Sequence, residues 1–77
     1  MGSKSTDVAA YHVVPRPDGG WAVRRGDGSA ASRGAVGKAQ AIDLAQRLAR
    51  RRRQARVVVH ARDFSVENEW TWRSSGA

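Results

Sequence analysis

The alternation of apolar and polar positions changes period several times along the chain. Tyr11-His12-Val13-Val14 is a β-rich run ended by Pro15. Trp21-Ala22-Val23-Arg24-Arg25 resumes strand character, with Trp21 and Val23 on one face. Between them, Pro17-Asp18-Gly19-Gly20 is a turn signal, because proline presets φ and glycine accepts φ > 0. Two such runs around a Pro/Asp/Gly connection predict a β-hairpin. Positions 26–37 are small and polar, with Gly26, Gly28, Gly34 and Gly37, and read as a flexible surface loop. Gly26-Asp27-Gly28 lacks the strand and helix context of a phosphate cradle.

The period then becomes helical from Lys38 to about Arg52. Ala41, Ile42, Ala45, Leu48 and Ala49 form one stripe, with Leu44 beside it, while Asp43, Arg47 and Arg50 fall on the far side. Gly37 is a weak N-cap, Val36 a staple residue outside it, and Asp43–Arg47 a favourable i,i+4 pair. The three stripe alanines let the helix lie close against a sheet. Arg56-Val57-Val58-Val59-His60 follows as a β-branched strand whose unbroken valines predict a central position or burial on both faces. Arg62-Asp63-Phe64-Ser65 makes a turn. The last run puts Val66, Trp70 and Trp72 on one face and Glu67, Glu69 and Thr71 on the other, a half-exposed strand. Asn68 interrupts its apolar face.

The predicted order is ββαββ. The fold class is α+β, a four-stranded, mainly antiparallel sheet with one helix packed on one face. Residues 1–9 read as a disordered tail, 10–73 as a single domain and 74–77 as a frayed end. Met1-Gly2-Ser3 has the look of a cloning remnant. A chain of 77 residues holds one domain at most.

With no Cys there is neither a disulfide nor a thiolate metal site. His12 and His60 alone do not make a zinc site, so no metal and no cofactor is expected. No apolar run approaches the ~18 residues of a membrane span, and the N-terminus has no apolar signal region. These absences predict a soluble cytoplasmic protein without membrane or small-molecule partners. Abundant Arg and Ala with scarce Lys suggest a GC-rich genome, a bias that raises the positive charge regardless of function.

Several separated motifs resemble one family. Tyr11-His12-Val13-Val14-Pro15, Asp18-Gly19-Gly20-Trp21-Ala22-Val23, the alanine-rich helix and Val57-Val58-Val59-His60-Ala61-Arg62-Asp63 follow in order the pattern of DUF2188, small bacterial and phage proteins of unknown function. The resemblance spans about residues 11–72 and implies the ββαββ layout. It carries no catalytic residues. Ala61 stands where the family usually has Gly, and Phe64 where it has the turn glycine. The last turn must therefore differ or be strained.

The formal net charge is +7, from 14 Lys+Arg and 7 Asp+Glu. The excess is local. Arg47, Arg50, Arg51, Arg52, Arg53 and Arg56 fall within ten residues without an acid among them, and the rest of the chain nearly balances. Such a cluster suits the phosphate backbone of a nucleic acid, with no sequence preference implied. Trp70 and Trp72, if exposed, suit stacking on single-stranded bases. The ordinary alternative is a solvated helix end whose arginines complement the macrodipole.

His12 and His60 would share a sheet face if their strands are neighbours, as a proton-responsive or anion-binding patch. A hydrogen-bonded structural role is the ordinary reading of a strand histidine. The tryptophans read mainly as core, with Trp21 under the helix, and Trp70 and Trp72 as a surface patch. Asp18, Asp27 and Asp63 fit turn positions, and Glu67 and Glu69 fit edge-strand protection, so no enzyme is expected. One helix covers only one sheet face, which predicts a homodimer through the other face or through an edge. The expected function is thus a small non-enzymatic module that binds nucleic acid, or one that associates with protein or with itself.

Overall fold

A computed structural model describes residues 8–32 and 36–73. Its elements are β1 (Val8–Pro15), β2 (Trp21–Arg25), α1 (Lys38–Arg50), β3 (Gln54–His60) and β4 (Val66–Arg73). The α+β class and the ββαββ order are as expected. The spatial order is β2-β1-β3-β4. The outer pairs are antiparallel hairpins, and the central β1–β3 pair is parallel. A parallel neighbour needs a long crossover. The segment from β2 through α1 supplies it and lays the helix across one face. Among the described residues, no helix is long and apolar enough to cross a membrane.

Period-two alternation divides the sheet cleanly. Tyr11, Val13, Trp21, Val23, Ala55, Val57 and Val59 pack beneath Ala41, Ala45 and Ala49 in one core. All three helix alanines are fully buried. Their small side chains set the close approach of helix to sheet. Ile42, Leu44 and Leu48 sit half-buried at the margins. β3 is central, and Val57, Val58 and Val59 are all buried, the outcome their unbroken run predicts.

Several boundaries differ from the sequence reading. β1 begins at Val8, inside the expected tail, because Val8 and Ala9 pair with Gln54 and Ala55. The expected flexible loop after β2 is in part an ordered return along that strand. Trp21 and Val36 exchange backbone hydrogen bonds of 2.9 and 3.0 Å, and Ala31 N–H donates to the Val23 carbonyl at 2.8 Å. Ser32 Oγ accepts from Val23 N–H at 3.0 Å, so the outer side of β2 is occupied. Residues 33–35 of that loop, and most of the two expected disordered ends, lie outside the described residues. α1 stops at Arg50, where the Arg51 and Arg52 N–H groups cap Leu48 and Ala49 at 3.2 and 3.0 Å.

Three turns share one design. Arg16–Gly20, Arg25–Ser29 and Ala61–Ser65 each close with a hydrogen bond from the first N–H to the fifth carbonyl, all 2.8 Å. In each, the third residue is an aspartate whose Oδ1 accepts the fifth residue's N–H, at 2.9, 2.9 and 3.0 Å. The fourth residue takes positive φ: Gly19 at 93°, Gly28 at 90° and Phe64 at 72°. This is a type I turn followed by a left-handed residue. Phe64 therefore takes the same turn position as the two glycines at the energetic cost of a left-handed side chain.

Candidate functional site

The six arginines do not form one patch. Arg47 lies on the exposed side of α1 and is paired with Asp43, one turn back, through a 2.9 Å bond from Nε. Arg56 alternates with Ala55 and Val57, so it points away from the helix, onto the uncovered sheet face. There its Nε sits 3.1 Å from Glu69. Arg50, Arg51, Arg52 and Arg53 remain together at the end of α1 and in the turn to β3, all exposed. Among the described residues none of these four enters an ion pair, and none donates a side-chain hydrogen bond to a helix carbonyl. Backbone N–H groups cap the helix there, so the guanidiniums are not spent on its last carbonyls.

An open cleft of about 330 Å³ lies beside this cluster. Ala9 and Tyr11 line its floor, and Arg25, Asp27 and Arg52 stand at its rim. Arg25 was absent from the sequence-based candidates. It is distant in sequence from Arg52, and only the pairing of Tyr11 with both Arg25 and Val57 brings the end of β2 toward the start of β3. Asp27 Oδ1 is engaged by its own turn, through Ser29 N–H. The Ser29 side chain first, and this backbone bond after it, hold the Asp27 carboxyl below its ordinary range, so it stays charged.

The uncovered sheet face is mixed, with Arg24, Arg56, Glu69, Thr71 and Arg73 beside Val14, Ala22, Val58 and Val66. His12 pairs in register with Arg24 on one side and Val58 on the other, and Val58 with Glu69. His12 Nδ1 lies 3.0 Å from His60 Nε2, and the rings stack with centroids 5.2 Å apart. His60 Nδ1 lies 3.0 Å from the Phe64 carbonyl. A carbonyl only accepts, so His60 carries its proton on Nδ1 and offers Nε2 as the acceptor for His12 Nδ1–H. Burial lowers the pKa of His12, and repulsion from His60 and Arg56 lowers it further against the opposing pull of Glu69. The two histidines thus meet on one face as expected, in the hydrogen-bonded form.

Trp70 and Trp72 are half-buried against the core margin, with ring centroids 6.4 Å apart and tilted by 49°. They face the helix side, as does Asn68. The expected grouping with Val66 fails. A bulge at Val59/His60 sets Val66 opposite His60 on the other face. It turns Glu67 toward α1, where it pairs with Lys38. A one-residue irregularity inverts faces, and the local pattern carries no sign of it. Among the described residues, no group of three or more His, Cys, Asp or Glu side chains gathers to hold a metal ion.

Residues 11–72 match the model of the family DUF2188, described as an uncharacterized protein conserved in bacteria. Comparisons with curated proteins and with solved structures returned no match.

Proposed function

The chain belongs to the DUF2188 family, and we propose that it is a non-enzymatic module that binds the phosphate backbone of a nucleic acid through Arg50, Arg51, Arg52 and Arg53. One observation carries the reading. Arg16, Arg47 and Arg56 each lie against a carboxylate, and Arg24, Arg25 and Arg62 donate to backbone carbonyls, whereas these four consecutive exposed arginines do neither among the described residues. Guanidinium donors match phosphate oxygens in geometry, and displacement of condensed counterions supplies the free energy of association. Arg25, across the cleft from Arg52, contributes less, because its guanidinium donates to the Ala30 carbonyl at 2.7 Å and the charged Asp27 stands at the same rim.

This is a backbone contact without base readout, so the module discriminates little among sequences. Trp70 and Trp72 present only part of their rings and add no full stacking platform. Arg56 contributes less than the four, because Glu69 already compensates its charge.

The test is fluorescence anisotropy with short labelled DNA and RNA duplexes and single strands. The Arg51→Gln/Arg52→Gln/Arg53→Gln variant is expected to bind at least about tenfold more weakly than the wild type at low salt. Its circular dichroism should stay unchanged. Equal binding by the two proteins, or no binding by the wild type at low salt, refutes the proposal.

A further inference from the structure

We propose that the chain pairs with a second copy of itself through the outer edge of β4, antiparallel and centred on Thr71, to give a continuous eight-stranded sheet. The two edges of the sheet are finished differently. The return segment after β2 engages the backbone of Trp21 and Val23. β4, by contrast, pairs only with β3, and no described segment runs along its other side. Such an edge presents unpaired N–H and C=O groups and is a template for another strand.

The side chains of β4 select the register. Beyond the bulge the strand runs regularly from Asn68 to Arg73. Glu69, Thr71 and Arg73 lie on the uncovered face, and Trp70 and Trp72 on the helix side. Antiparallel pairing about Thr71 sets Glu69 of each copy opposite Arg73 of the other. On the opposite face it sets Trp70 of each copy against Trp72 of the other. Opposite charges, aromatic pairs and facing threonines are all favourable cross-strand neighbours.

The competing registers are worse. Centring on Glu69 opposes two carboxylates, and centring on Arg73 opposes two guanidiniums. Centring on Trp70 opposes Glu67 and Arg73, but the bulge has already turned Glu67 to the helix side with Lys38.

α1 packs over β1, β2 and β3 and leaves Trp70 and Trp72 only half-covered at its margin. The second copy covers what remains of these rings. Glu69, which already lies 3.1 Å from Arg56, then bridges two arginines. A five-residue pairing is a small interface, so the dimer is a weak, concentration-dependent one. Read as edge protection alone, the same glutamates would keep the chain monomeric.

The experiment is sedimentation equilibrium over a wide concentration range, on nuclease-treated full chain. The wild type is expected to shift from monomer to dimer as concentration rises. Glu69→Arg and Arg73→Glu, each checked for fold by circular dichroism, are each expected to weaken self-association at least about tenfold. Mixed in equal amounts, the two variants regain both interchain pairs between positions 69 and 73 and are expected to form a heterodimer. A wild type that stays monomeric at the highest concentration overturns the proposal. So does a single variant that self-associates like the wild type, or a mixture no more associated than its components.

Discussion

The β1–β2 and β3–β4 hairpins flank the same parallel centre and turn through the same backbone design, but they are completed differently. In the first, glycine occupies the left-handed position of the turn. Trp21 is 6% exposed, and Lys38 and Arg62 lie over its ring at 5.0 and 5.1 Å. In the second, Phe64 occupies the equivalent position, 62% exposed. Trp70 and Trp72 are only half-buried, and no described segment runs along the outer edge of the strand. The difference teaches that the aspartate and its closing hydrogen bonds hold the turn's shape, whereas glycine only lowers its cost. It also separates a hairpin whose tryptophan is buried from one whose tryptophans stay half-covered.

The largest contrast should appear in the tryptophans. Trp21→Ala is expected to cost about 3–5 kcal/mol, the range for a fully buried aromatic. Trp72→Ala, which loses half-covered surface, should cost about 1–2 kcal/mol at the usual rate per area. Urea unfolding of the two variants at low protein concentration checks this. Equal losses would erase the distinction between the hairpins.

The turns give a smaller contrast of opposite sign. Gly19→Ala should cost about 1–2 kcal/mol, the penalty of a left-handed side chain. Space is not the reason, because a Cβ at Gly19 meets nothing within 4 Å. Phe64→Gly removes the same penalty and should stabilise by up to about 1 kcal/mol after the entropy of glycine is set against it. Thermal melts should therefore move in opposite directions. A Phe64→Gly variant less stable than the wild type would mean that the exposed ring contributes packing that outweighs its strained backbone.

The smallest effect is in pH. His12 has a folded pKa below its unfolded value of 6.5. The unfolded chain then binds more protons, so this contribution to stability is complete above pH 6.5 and is lost as pH falls through the folded pKa. Asp63 behaves likewise below 3.8, because the Ser65 side chain and N–H favour its charged form. Asp18, held mainly by Gly20 N–H, also loses its contribution there. Chemical denaturation at pH 7 and pH 5 should show lower stability at pH 5, and His12→Phe should remove most of the difference. An unchanged difference in that variant would assign it to another group.

Much of this was legible in the sequence, and the parts that were not share a cause. Periodicity located all four strands and the helix, and the alanine stripe identified the buried helix face. The Phe64 substitution flagged the strained turn. What escaped depends on contacts between distant residues. Val8 and Ala9 are strand only because β3 lies beside them. The bulge that moves Val66 and Glu67 is a mismatch between two strands and has no local signature. Arg56 separates from the other arginines because strand alternation turns it to the far face, whereas a run of arginines in sequence reads as one cluster. The His12–His60 contact was accessible only as a conditional, since the parallel pairing of β1 and β3 had to be known first.

The salt dependence of nucleic-acid binding tests the central claim most directly. Four arginines on duplex phosphates predict that log K falls against log salt with a slope of roughly −3 to −4, and that Arg51→Gln/Arg52→Gln/Arg53→Gln reduces the slope to about −1. A wild-type slope near zero, or a slope that the triple substitution leaves unchanged, would contradict the assignment of these arginines to a phosphate backbone.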